Sequence, residues 1–275
     1  MAPAPADVSR QSQINAGIVA LAAAQTAVLW PQVEWDSPAA AAAVRELYGA
    51  IVDQFGRSAA AVAAQFYDEQ RVKVSTPGHF TATMTDPLPR AMLDKIVDSA
   101  FLGASQDEHV LDAKATTSDL PVEQRVPARL DSQLQRLVLQ PGRETIALNA
   151  ATDPVKPRYV RVPQGANTCA FCVMMASREL GIGKGPGKSF GGYHDSAVRF
   201  DEQTQRLHAF AKNSSKFHDH CDCEAVPVFP DQIAADVSPK IGDYQDMYYK
   251  AAADAGTHSD AKKILASMRT LHGLK

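Results

Sequence analysis

All four cysteines of the 275-residue chain lie between residues 169 and 223. They form two motifs: Cys169-Ala-Phe-Cys172, and the sequence His218-Asp-His220-Cys221-Asp-Cys223. Zinc in structural sites takes four thiolate or imidazole ligands in a tetrahedron, and a C-x-x-C turn presents two sulfurs on one side of such a site. Soft thiolate ligands select zinc, copper(I) or iron–sulfur clusters over oxygen-preferring ions. The spacing therefore predicts a fold that brings two distant segments together around one ion.

Six side chains are candidates for the four positions around this ion. Cys169, Cys172 and Cys223 are the first choice, followed by Cys221 and His218, with His220 in reserve. A candidate that does not bind the ion would instead hydrogen-bond to one of the ligands and orient it.

Three other interpretations of the cysteines compete with the metal. Four thiols can pair as two disulfides, remain as buried free cysteines, or include a redox C-x-x-C, although no βαβ pattern surrounds the motif. The start of the chain, Met1–Asp7, lacks the basic and apolar regions of a secretory signal. A reducing compartment and the clustering of all four cysteines favour zinc over disulfides.

The composition is that of an ordinary globular protein, and the net charge limits the kinds of partner that we expect the chain to bind. Apolar residues make up 45% and charged residues 21%, and the net charge is −3. That balance does not favour nucleic-acid binding by the surface as a whole, so any DNA contact would be local. The apolar run 16–30 is shorter than the roughly 20 residues of a membrane span. It predicts a buried or partner-facing helix and no membrane association.

Hydrophobic periodicity predicts a predominantly α-helical α+β protein. We expect a mobile tail over 1–12 and two regions: a helical region over 1–154, and a Cys/His region over 155–275 that ends in helices. Ser37-Pro38 marks a helix start, and Pro141-Gly142 is expected to break a helix. Helices are predicted over 13–29, from 38 to 66 (with a break near Gly56 allowed), 90–104, 107–116, 128–139, 143–151, 171–180, 231–254 and 259–271. Short strands are predicted over 156–163 and 224–229, with Lys156, Arg158 and Arg161 on one face.

Motifs for catalysis are incomplete in this sequence, so we expect no enzyme. Gly187-Lys188-Ser189 looks like the end of a P-loop, but Ile182 occupies the position of the first glycine. H-E-x-x-H is absent, and the H-x-E that a zinc deaminase needs does not precede Cys169. A cysteine nucleophile, Cys172 with His194 or His208, has no local support. A metal with four protein ligands has no open position for water, which indicates a structural role.

The second half of the chain resembles a known family. The motifs that carry the resemblance are Tyr159–Pro163, Cys169-Ala-Phe-Cys172, Met174–Arg178, Phe217–Cys223 and Val226–Phe229. Together they are similar to the MuF-like minor head proteins, the head-morphogenesis proteins of tailed bacteriophages. The matching stretch covers about a quarter of the chain, and the helical N-terminal region is similar only in general character.

The resemblance implies a structural protein of the virion, present in several copies inside the head near the portal vertex and assembled in the host cytoplasm. Its partners would be the portal protein, the major capsid or scaffolding protein and packaged DNA, with roles in head assembly and in DNA packaging or ejection. By position, the metal-type ligands of the family fall on Cys169, Cys172, His218, Cys221 and Cys223. Some relatives continue into a protease or toxin domain, which this sequence does not show. The alternative function is a zinc-stabilised nucleic-acid-binding module.

Overall fold

The computed structural model describes residues 5–74, 78–102, 120–165, 168–177, 198–201, 206–209, 221, 223–230, 232 and 238–274. Within these residues the protein is predominantly helical with two small antiparallel sheets, which confirms the α+β prediction. The helices are α1 (Pro5–Leu29), α2 (Ala40–Lys73), α3 (Arg90–Leu102), α4 (Val122–Thr152), α5 (Ala170–Ser177), α6 (Ile241–Asp254) and α7 (Ala261–His272). The strands are β1 (Arg158–Pro163), β2 (Val198–Asp201), β3 (Arg206–Ala209) and β4 (Cys223–Val228). The predicted helix over 107–116 lies outside the described residues.

Helix α1 begins at Pro5, so the prediction of a mobile tail over 1–12 was wrong for residues 5–12. The first turns are held because α1 packs antiparallel to α2, with Asp7 bound to Lys73 Nζ at 2.8 Å and Arg10 to Glu69 at 2.6 Å. At the other end, Trp30 stacks on Tyr48 with ring centroids 5.9 Å apart. Among the described residues, the segment Pro5–Gln32 has the length and apolar composition of a membrane span, although one side of it is packed on the rest of the protein.

Helix α4 runs without a break from Val122 to Thr152, so the prediction that Pro141-Gly142 ends a helix was wrong. A proline inside a helix costs about 3 kcal/mol or more, and packing against α2 offsets that cost. An ideal Cβ on Gly142 would lie 2.8 Å from the carbonyl oxygen of Ala59, and one on Gly56 would lie 3.1 Å from the Pro141 ring. The two helices therefore cross at this point because neither glycine carries a side chain.

Other predicted boundaries agree or shift by up to ten residues. Helix α2 starts two residues after Pro38 and continues through Gly56, and the predicted strands correspond to β1 and β4. Helix α6 starts at Ile241 rather than at 231. The predicted basic face of β1 does not form, because the Arg161 side chain is fully buried.

Two hydrophobic cores organise the described residues. The helical core lies between α1, α2, α3 and the first half of α4. The mixed core joins the ends of α2 and α4 to β1, α5, β4, α6 and α7. Phe66, Tyr67 and Ile146 therefore pack in the same core as Val160 and Val226, on the other side of residue 154. The division of the chain at that residue stays a prediction.

Candidate metal centre

The pairing of β1 with β4 is what brings the two cysteine motifs together. The strands are antiparallel, with Arg158 opposite Val228 and Pro163 opposite Cys223. Cys223 therefore lies beside the end of β1, and the chain reaches Cys169 and α5 six residues after Pro163. Residues that are about fifty positions apart in the sequence become neighbours through this one ladder.

The sulfur atoms are spaced as metal ligands. Cys172, Cys221 and Cys223 are buried, and their Sγ atoms all lie within 4.8 Å of one another. Sγ of Cys172 is 3.6 Å from Sγ of Cys221. Two thiolates at 2.3 Å from one tetrahedral zinc ion would be about 3.8 Å apart, whereas a disulfide holds its sulfurs about 2.05 Å apart. All four cysteines are free thiols, so the arrangement fits a metal better than a pair of disulfides.

Cys169 lies beside these three cysteines at the start of α5, although its Sγ is not among those that all lie within 4.8 Å of one another. It packs against the three buried cysteines, and its Sγ accepts a hydrogen bond from the backbone N–H of Cys172 at 3.3 Å. Its carbonyl oxygen accepts from the N–H of Val173, so Cys169 occupies the N-cap position of the helix. The N-terminal end of a helix favours negative charge. The helix end therefore favours a thiolate at both cysteines of the first motif, whereas the crowding of the sulfurs opposes ionisation of Cys172.

The thiols are crowded together in a way that opposes ionisation without a cation. Hydrogen bonds among the thiols, the one with Cys169 first, and burial raise the pKa of Cys172 well above its ordinary value. For Cys223, the hydrogen bond with Cys172 lowers the pKa, but the bond with Cys221 and burial outweigh it, so the pKa is raised. A bound metal ion reverses this balance, because a coordinating thiol is deprotonated outright. The donor set therefore fits a soft divalent cation.

Helix α4 holds the backbone of the second cysteine motif. Nη2 of Arg143 donates to the carbonyl oxygen of Cys221 at 2.8 Å and to that of Cys223 at 3.3 Å. Nε2 of Gln135 donates to the Cys221 carbonyl at 3.0 Å. The two side chains are eight residues apart and so lie on the same face of the helix. Because Arg143 is itself buried, these bonds fix the backbone of the motif to the helical region.

Two further buried charges lie next to the cysteines. The positive charge of Arg161, on β1, acts to lower the pKa of Cys223, which reduces the cost of an anionic thiolate centre. Glu224 follows Cys223 and accepts a hydrogen bond from Asn15 Nδ2 at 2.7 Å. Burial raises the pKa of Glu224 to about 7, against the opposing effects of Arg143 and of Asn15. Through Asn15, helix α1 is tied directly to the cysteine motif.

Four of the five predicted ligands, Cys169, Cys172, Cys221 and Cys223, form one cluster. His218, His220, His194 and the segment Gly187–Ser189 lie outside the described residues. Sequence reasoning missed the residues that support the cluster, namely Asn15, Gln135, Arg143, Arg161 and Glu224. Glu224 had a signal, since it is the one charge in the otherwise apolar strand β4, and so had Arg161, which is a charge between two valines in β1. Asn15, Gln135 and Arg143 had none, because they lie far away in the sequence.

The fold and the cluster together define a helical α+β protein with a thiolate-rich candidate metal site between its helices and its small sheet. The chain belongs to the VG15 protein family, whose model matches residues 2–182, about two thirds of the chain. This is a family of viral proteins, so the chain is a viral protein. The match includes Cys169 and Cys172 and ends before the second cysteine motif. Comparisons with curated proteins and with solved structures found no match.

Proposed function

We propose that this viral protein is a minor head protein of a tailed bacteriophage, with a structural role in head assembly and in DNA packaging or ejection. It would occupy the inside of the head near the portal vertex, in several copies. The observation that carries the proposal is the convergence of the two cysteine motifs. These are the most specific part of the resemblance to MuF-like proteins, and the buried sulfurs of Cys172, Cys221 and Cys223 lie together with Cys169 packed against them. Membership in a viral family supports the same assignment.

The proposed partners are the portal protein first, and then the major capsid or scaffolding protein and packaged DNA. The helical region would dock on the portal. Deleting residues 1–35 would be a poor test of that docking, because it would remove Ile18, Ala22 and Leu29 from the helical core and so disturb the fold. The intact chain should instead be co-expressed with the portal protein of the same virus. Co-purification at a fixed stoichiometry is expected, and recovery of the two proteins in separate fractions would refute the portal assignment.

The location is tested on virus particles. Mass spectrometry of purified, nuclease-treated virions should detect the chain, with fewer copies than the major capsid protein. Protease added to intact particles should leave it uncut, because it would lie inside the head. Detection in infected cells but not in particles would refute a role as a virion protein.

We also propose that the cluster binds one structural zinc ion through Cys169, Cys172, Cys221 and Cys223. Their convergence favours this set, and a site with four protein ligands has no position for a reacting water molecule, which supports a non-enzymatic role. Elemental analysis of the purified protein should find one zinc per chain. Cys172→Ser should lose it and His218→Ala should retain it. Loss of zinc in the histidine variant would place His218 among the ligands, and absence of metal from the wild-type chain would refute the site.

The nucleic-acid-binding alternative has weaker support. The net charge is −3, and the one basic strand that sequence analysis singled out has Arg161 buried. Binding to duplex DNA at two salt concentrations separates the two functions, since phosphate contacts weaken steeply with salt. Tight binding with a steep salt dependence would favour the alternative.

A further inference from the structure

Helix α1 has an exposed apolar face beside the side that it buries in the helical core. Ile14 is 42% exposed, Leu21 61% and Val28 63%. These three side chains are spaced seven residues apart, and Gly17 and Ala24 between them are also exposed. A repeat of this kind is the seam of a two-helix coiled coil. We call the five residues the α1 seam.

The seam carries no charge that would select a partner of opposite sign. No Asp, Glu, Lys or Arg occurs between Gln11 and Val33. The charged residues that precede this stretch, Asp7 and Arg10, are bound to Lys73 and Glu69 of the same chain. Electrostatics therefore neither steers a charged partner to the seam nor repels an identical copy of it.

The spacing of the seam makes it complementary to itself. A two-fold axis through Leu21 places Leu21 against its own copy and Ile14 against Val28, because both lie seven residues from the axis. The same operation places Gln25 opposite Gly17. Gln25 is exposed, and a Cβ built on Gly17 meets nothing within 4 Å. The long side chain of Gln25 thus lies opposite the one glycine of the seam.

The available area is at the lower limit for a specific dimer. Helix α1 has 25 residues, so it is about 37 Å long, and half of its surface is roughly 600 Å². Two copies would bury at most about 1,200 Å², which is the lower end of the range for specific interfaces. We propose that the α1 seam pairs with the α1 seam of a second copy of this chain, in a weak, concentration-dependent dimer. This inference does not depend on the location of the protein in a virion.

Sedimentation velocity of the full-length, zinc-loaded chain tests the proposal at chain concentrations from ~1 to ~200 μM. This range covers the dissociation constants expected for a weak interface of this size. We expect a monomer–dimer equilibrium in the wild type. Leu21→Glu should weaken dimerisation at least about tenfold, because two carboxylates would face each other across the axis. Glutamate is a good helix former and the position is exposed, so the fold should be kept. Leu271→Glu, on the exposed face of α7 at 48%, is the matched control and should dimerise as the wild type does.

A charge-pair rescue makes the test specific. Leu21→Lys alone should also be monomeric, and an equimolar mixture of Leu21→Glu and Leu21→Lys should recover the dimer. A wild type that is monomeric over the whole range, a Leu21→Glu variant that dimerises normally, or a mixture without recovery would each overturn the proposal. Vesicles of neutral phosphatidylcholine test a lipid surface as the occupant. Binding by a monomeric wild type that Leu21→Glu abolishes would also overturn it.

Discussion

Zinc should stabilise this protein in proportion to the logarithm of its free concentration. An ion that binds the folded state alone adds RT ln(1 + [L]/Kd), which is about 1.4 kcal/mol for each tenfold increase once the site is filled. Unfolding of 275 residues has an entropy of about 0.6 kcal/mol/K. Each tenfold increase in free zinc should therefore raise the Tm by about 2 °C. The slope depends on one ion per chain and not on the value of Kd.

The structure predicts that the whole protein responds, and not the cysteine motif alone. Arg143 of α4 is bonded to the carbonyl oxygens of Cys221 and Cys223, and Asn15 of α1 is bonded to Glu224. Calorimetry in zinc buffers should thus show one main transition that moves as a unit. The comparison is made at a chain concentration low enough to keep the protein monomeric.

Cys172→Ser supplies the decisive comparison, because it removes one of the three buried sulfurs. Its Tm should be low and independent of free zinc, whereas His218→Ala should keep the slope if four cysteines bind the ion. A wild-type Tm that is the same in chelator and in excess zinc would refute the metal site. A slope that survives in Cys172→Ser would refute its ligand set.

Three further predictions concern packing, charge and thiol chemistry. Gly142→Ala should lower the free energy of unfolding by about 1–3 kcal/mol, because its Cβ would lie 2.8 Å from the Ala59 carbonyl oxygen. Gly242→Ala is the control and should not destabilise the protein, since a Cβ at that position meets nothing within 4 Å. Denaturant unfolding measures both variants, and equal effects would contradict the close crossing of α2 and α4. Asp153→Ala should cost about 3–5 kcal/mol, because it leaves the buried Arg71 without the carboxylate 2.7 Å away, while Asp53→Ala breaks an exposed pair and should cost less than about 1 kcal/mol. Protein from which a chelator has removed the metal should form a Cys172–Cys221 disulfide under a mild oxidant, since these sulfurs are 3.6 Å apart. Bound zinc should prevent this disulfide. Mass spectrometry of the peptides detects it, and oxidation at an equal rate with zinc bound would contradict a shared ion.

The helices and strands were largely predictable where local pattern decides them. The strands around Arg158–Pro163 and Cys223–Val228 and the helices α3 and α7 follow from alternation and periodicity along the chain. The predictions failed where a neighbouring element overrides local preference. Pro141 stays inside α4 because α2 packs against it through Gly56, and the first turns of α1 are ordered by ion pairs with the end of α2.

The candidate site likewise has one part that the sequence predicts and another part that it does not. Ligand chemistry is local, since the residue types and the C-x-x-C spacing already indicate a soft metal ion, and the four cysteines do lie together. The supporting side chains were beyond prediction, because Asn15 and Arg143 lie 209 and 78 residues from their partners. No local pattern marks such residues.

The sequence by itself determined the predominantly helical class, the two cysteine motifs and the apolar repeat of α1, because each is a periodicity or a spacing within one segment. Tertiary structure decided which side of each segment contacts another segment and which side stays exposed. Pairing of β1 with β4 joins the two cysteine motifs, and packing of α1 on α2 buries Ile18 and Ala22 while leaving Leu21 exposed. Burial is a property of two surfaces in contact, and a single segment specifies only one of them.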